Sequence, residues 1–185
     1  MKSFRAFIEE YKGQHEAPGP EDGAPMHDLT HNGIYPKDVY GPNGFHYYSN
    51  HGSKIDSASH HKATALKDKP YVRVKIYRAV PKDKSIKTIN TGDWVTHNRD
   101  YAVEHGRAHL GVGKWKILSR TARARELFTD GNSIHEWGYH PQEADEGQKA
   151  HDAVRQERIA QKSADLHNKR KELHDRLDKT LQKYK

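Results

Sequence analysis

The segment YVRVKIYRAVP, residues 71–81, is the strongest constraint on what this chain can fold into. Val72, Val74 and Ile76 recur at every second position, the period of a strand with one buried face. Continuing the count makes Arg78 the next inward position. A guanidinium on an apolar face is costly unless it meets an anion in good geometry. The strand alone leaves two readings open: Arg78 meets such an anion, or the strand leaves the core after Ile76 and Arg78 reaches solvent near Pro81.

Residues 69–141 carry nearly all of the remaining strand signal. GDWVTHN follows the first strand, then the helix-like RDYAVEHG, the strand-like KWKILSR, and NSIHEWGYH after an Asp-Gly turn. Strands interrupted by one helix predict an α+β domain. Asn98 is a competent N-cap for the helix. In NSIHEWGYH the spacing predicts a strand with Ile134, Glu136 and Gly138 on one face.

Residues 1–68 show little periodicity and are expected to form an irregular and helical region that packs on this core. MKSFRAFIEEYKG reads as a short amphipathic helix, and HEAPGPEDGAPMHD as an irregular connection. The turn-rich YPKDVYGPNGFHYYSNHGS carries tyrosines and Phe45, expected to pack on the sheet or to line a ligand cleft. SASHHKATALK predicts a short helix. From 142 to 185 the chain reads as one charged helix, with Leu166, Leu173, Leu177 and Leu181 on a single face. That narrow seam is expected to dock on the domain or on another copy of the chain, which would give self-association.

The chain has 185 residues, of which 33% are hydrophobic and 31% charged, so part of it must be a solvated helix rather than packed core. Its formal net charge of +7 favours polyanions or acidic partners. The absence of cysteine excludes thiol catalysis and disulfides. No apolar run approaches the ~20 residues of a bilayer span, and the N-terminus lacks a signal-peptide pattern. The expected setting is therefore cytoplasmic, or packaged within a particle, with no membrane partner. Fifteen histidines invite a metal site. No H-x-E or H-E-x-x-H arrangement accompanies them, and no metal is expected. His97 and His105 in THNRDYAVEHG are candidate bases, read here as solvated histidines on a helix.

A basic, a hydroxyl and an acidic residue thus fall in order on three strands of one small sheet: Arg78, Thr96 and Glu136. This order and context resemble the mono-ADP-ribosyltransferase family in its arginine–serine–glutamate branch, particularly its phage-encoded and toxin-like members. The similar segments are IYRAVP, INTGDWVTHNRDYAVEHG and DGNSIHEWGY, within residues 71–140. The resemblance implies a small split β-sheet core, with NAD as donor substrate. It implies that Arg78 holds the cofactor phosphates, that Ala79 offers its backbone to the nicotinamide amide, and that Thr96 positions the nicotinamide ribose and the acid. Glu136 would bond the ribose 2′-hydroxyl and carry catalysis. A fixed carboxylate there favours the oxocarbenium-like transition state over the neutral ribose.

Three departures from the family pattern qualify these roles. Seventeen residues separate Arg78 from Thr96, fewer than in many toxin members. Asn98 replaces the second hydroxyl of the serine motif. Ile134 stands where arginine-modifying members carry Glu or Gln, which argues against an arginine acceptor. TARARELFTDGN is expected to be the acceptor-contacting loop, its Phe128 and arginines suited to stacking on a base and holding phosphates. The implied activity is transfer of ADP-ribose from NAD to a protein or nucleic-acid acceptor. The alternatives are a non-catalytic nucleic-acid-binding or assembly protein on the same fold, and an NAD glycohydrolase.

Overall fold

A computed structural model describes residues 16–49, 53–82 and 85–182. The helix expected within residues 1–13 lies outside them. The chain divides into two compact units, Met1–Gln142 and Glu143–Lys185.

The first unit is α+β with antiparallel pairing throughout. Strand β2 (Arg73–Pro81) pairs with β4 (Trp115–Arg123) over its whole length, from Arg73↔Arg123 to Pro81↔Trp115. A second sheet has the order β1-β5-β6-β3, built from β1 (Ala24–Pro25), β5 (Leu127–Thr129), β6 (Trp137–Tyr139) and β3 (Asp93–Val95). The two sheets meet at one isolated bridge, where Tyr77 and Thr96 exchange backbone bonds of 2.8 and 2.9 Å. The period-two pattern of β2 is realised: Val74, Ile76 and Val80 are buried while Arg73 and Lys75 are exposed.

Among the described residues the unit has three α-helices: α1 (Gly44–Tyr48), α2 (Lys54–Thr64) and α3 (Arg99–Leu110). Ser53 caps α2 by accepting the Asp56 amide, and Asn98 caps α3 by accepting the amides of Asp100 and Tyr101. Gly111, at φ +82°, ends α3 in a conformation that side chains disfavour. Ala102 and Gly106, one turn apart, form the buried stripe of α3. A Cβ on Gly106 would lie 2.7 Å from the Trp115 ring, so glycine sets how closely α3 approaches β4.

Met26, Leu29 and Val39, from the N-terminal part of the chain, share one core with Ile76, Ile89, Leu127 and Trp137. Complete burial of a large aliphatic side chain stabilises by about 1.5–3 kcal/mol. Tyr35 belongs to this core, Tyr40 and Tyr48 pack against it, and Tyr47 is exposed.

Two expectations are corrected. The strand predicted across 132–140 shrinks to β6, with Ile134 and Glu136 ahead of it. Side-chain oxygens capture amides that a ladder would need: Asp130 Oδ1 accepts Asn132 N at 3.0 Å, and Ser133 Oγ accepts His135 N at 3.2 Å. Nor are residues 121–132 one continuous loop. They comprise the end of β4, a 3-10 turn at Ala124–Glu126, β5 and the turn at 130–132, and the chain is bent where the Glu126 carboxylate accepts the Arg123 amide at 2.8 Å. Phe128 is 3% exposed and unavailable for stacking on a base. Arg123 donates to the Tyr71 carbonyl at 3.1 Å, and Arg125 lies over the Tyr71 ring.

The second unit is dominated by α4 (Glu146–Gln182), a helix of 37 residues. Leu166, Leu173 and Leu177 are exposed along it; the side chain of Leu181 lies outside the described set. No helix among the described residues is long and apolar enough to cross a membrane.

Candidate active site

A cleft of about 620 Å³ opens where the two sheets meet. That volume lies within the roughly 300–1,000 Å³ of small-molecule and cofactor sites. Arg78, Ala79, Thr96 and Glu136 all line it, brought together from β2, the end of β3 and the segment before β6. Tyr77, Trp94, Tyr101 and His105 complete the nearby wall, with Asp130 and Asn132 from the turn before Glu136.

Arg78 is partly exposed and has an anion within the chain: its guanidinium pairs with Asp93, the first residue of β3. The pair joins β2 to β3 beside the Tyr77–Thr96 bridge. One terminal nitrogen of Arg78 meets Asp93, and a guanidinium carries five N–H donors, so the fork can also serve a second oxyanion. Ala79 sits mid-strand opposite Ile117, with its backbone fixed by the ladder.

Thr96 is buried, and its hydroxyl accepts the amide of Asn98 at 3.1 Å. The hydroxyl bonded to Glu136 belongs to Tyr101, which donates to Oε1 at 2.9 Å. Tyr101 lies in the first turn of α3, so the Asn98 cap that starts the helix also aims its phenol. Burial and the Glu136 carboxylate push the phenol well above its usual range, so it stays protonated as a donor. Ile134 lies in the hydrophobic core at 3% exposure rather than in the cleft. The earlier residues of this segment that line the cleft are Asp130 and Asn132.

Behind Tyr101 lies a buried polar cluster. The His135 ring stacks on the Tyr101 ring at 4.5 Å and 7°. His135 is held by the Asp56 carboxylate at 3.1 Å and by Ser59 Oγ at 3.0 Å, both from α2. Asn98 Nδ2 donates to the same Ser59 Oγ at 3.1 Å. His97, expected as a solvated helix histidine, precedes α3 and is 3% exposed. Its Nε2 donates to the Ser59 carbonyl at 3.2 Å. Burial, aided by the Lys62 cation, depresses its pKa to about 3. His105 lines the cleft, and burial lowers its pKa against the opposing pull of Glu136, which favours the neutral ring. Among the described residues no group of three or more His, Asp or Glu side chains could hold a metal ion.

Tyr101, Asp93, His135 and Asp56 were not legible as site residues. Their contacts with the candidate residues or with one another span 15 to 79 positions of sequence, and no local motif marks them. Comparison with protein-family models, with curated proteins and with solved structures finds no match to this chain.

Proposed function

We propose that this chain is an enzyme that breaks an N-glycosidic bond through an oxocarbenium-like transition state. More particularly, the reading is an NAD-dependent mono-ADP-ribosyltransferase, with transfer to a protein or nucleic-acid acceptor. The observation that carries it is the convergence of Arg78, Ala79, Thr96 and Glu136 on one cleft. These groups are distant in sequence, and a purely structural sheet has no need to gather them.

In this mechanism the C–N bond between nicotinamide and ribose breaks, and nicotinamide leaves with the electron pair. The acceptor's lone pair forms the new bond to the same ribose carbon and gives up its proton. Glu136, ionised and held by Tyr101, accepts a hydrogen bond from the 2′-hydroxyl and stabilises the positive charge that develops on the ring. The free donors of Arg78 hold the diphosphate. The lining carboxylates Glu16, Asp130 and Glu136 favour a cationic pyridinium and an oxocarbenium over a neutral sugar. The cytoplasmic setting and the phage-encoded, toxin-like context belong to the same proposal. The core position of Ile134 leaves the cleft without an acceptor-orienting group at that site, in keeping with an acceptor other than arginine.

The test is to incubate the full chain with labelled NAD and a cell lysate, beside a Glu136→Gln variant. Label should enter macromolecules with the native chain, and the variant should be slower by about 10²–10³-fold. Nuclease and protease treatment of the product then identifies the acceptor class. Nicotinamide release without transfer would replace the reading by an NAD glycohydrolase. If the native chain neither transfers label nor releases nicotinamide, a non-catalytic binding protein is the better account.

A further inference from the structure

We infer that Tyr101 is the residue that positions Glu136, and that it does so from a buried support founded on α2. The inference rests on the ADP-ribosyltransferase reading for its catalytic meaning, but its geometry is independent of any ligand. Glu136 lies in the irregular segment before β6, where no ladder bond fixes its backbone. A carboxylate on such a segment needs an external donor to hold one rotamer, and the 2.9 Å phenol bond supplies it. Pairing a hydroxyl with an ionised carboxylate gives a charge-assisted bond, stronger than a neutral one.

The donor is itself fixed. At one end, the Tyr101 amide is bonded to the Asn98 cap. At its face, the near-parallel stack on His135 prevents the ring from swinging. His135 is in turn fixed by Asp56 and Ser59, so its ring has a partner at both nitrogens. Asp56 and Ser59 lie one turn apart on α2, which puts both on the same helix face. Ser59 is fully buried and Asp56 nearly so. A buried carboxylate–histidine pair is costly in a core and is tolerated when its bonds are satisfied. Here the cluster fixes the ring against which the Glu136 donor rests. Helix α2, part of neither sheet, thereby supports the acidic end of the cleft.

The test uses the full chain and measures nicotinamide release from NAD for the native protein, Tyr101→Phe and Asp56→Asn. Tyr101→Phe keeps the ring and its stack and deletes only the donor. It should lower kcat about 10–100-fold, the range for a lost hydrogen bond to a charged group, while leaving KM for NAD near native. A merely structural role would move the thermal midpoint and leave kcat near native. Asp56→Asn should lower kcat by a smaller factor, again with little change in KM. A native enzyme whose Tyr101→Phe variant keeps full kcat overturns the inference while sparing the functional reading. If the native chain releases no nicotinamide, the functional reading fails, and the positioning claim is decided by the ¹³C resonance of a labelled Glu136 carboxyl. That resonance should shift and broaden in Tyr101→Phe; an unchanged resonance overturns the claim.

Discussion

His97 provides a prediction that needs no ligand. Its ring is 3% exposed and meets the edge of Trp137 at 5.8 Å. Nε2 is bonded to the Ser59 carbonyl, while Nδ1 is buried without a hydrogen-bond partner among the described residues. Protonation would place an unpaired N–H and a charge in the interior near the Lys62 cation, whose Nζ donates to the His97 carbonyl at 2.9 Å. The folded pKa is therefore near 3, against 6.5 for a free histidine. Because the folded pKa is the lower one, the unfolded chain binds the extra proton. This contribution is fully present above pH 6.5 and is lost as pH falls from 6.5 toward 3. Each unit within that window costs about 1.4 kcal/mol, so His97 alone should remove about 3 kcal/mol between pH 7.5 and 4.5. The assay is urea unfolding followed by circular dichroism at both pH values, for the native chain and for His97→Gln. His27, His60 and His105 have lowered pKa values too, and the difference between the two proteins cancels their share. The variant should be less stable at pH 7.5 but flatter with pH. Equal losses in the two proteins would refute the reasoning.

Two further variants test the frame of the cleft. A methyl group on Gly138 of β6 would run into the Pro18 carbonyl, so Gly138→Ala should cost at least ~2 kcal/mol and speed proteolysis within residues 16–23; an unchanged urea midpoint would contradict this. Asn98→Ala loses both the α3 cap and the bonds to Ile55 and Ser59 and should cost about 2–3 kcal/mol, whereas Asn98→Asp keeps the cap acceptor and should recover about half, as read by thermal denaturation.

What could be read in advance follows a physical divide. Alternation identified β2 because Val74 and Ile76 face a core that any strand of that pattern would need. The Asn98 cap and α2 were legible because capping and short helical periodicity are local. The partner of Arg78 was not, since Asp93 lies on another strand and the pairing depends on how β2 and β3 are brought together. β6 was overextended because period-two spacing in NSIHEWGYH says nothing of turn-forming side chains, and Asp130 and Ser133 compete for the amides. TARARELFTDGN was expected as a loop from the family resemblance, yet the Arg123 amide bonds the Glu126 carboxylate and the chain turns directly from one sheet into the other. In the site, Arg78, Ala79, Thr96 and Glu136 were nominated from the sequence. The hydroxyl bonded to Glu136 was not foreseen: Thr96 faces the cleft with its oxygen accepting the Asn98 amide, and the phenol of Tyr101, from the next turn of chain, bonds the carboxylate.

The isolated Tyr77–Thr96 bridge has a mechanical corollary. A continuous ladder would lock the two walls of the crevice at one separation, whereas a single reciprocal pair of backbone bonds acts as a pivot. On the cleft side of the shared core, the gap is spanned by two side-chain pairs, Arg78 to Asp93 and Tyr101 to Glu136. Both fastenings end on groups proposed to meet the donor substrate, and on that proposal an occupant engaging them would also set the width of the opening it entered by.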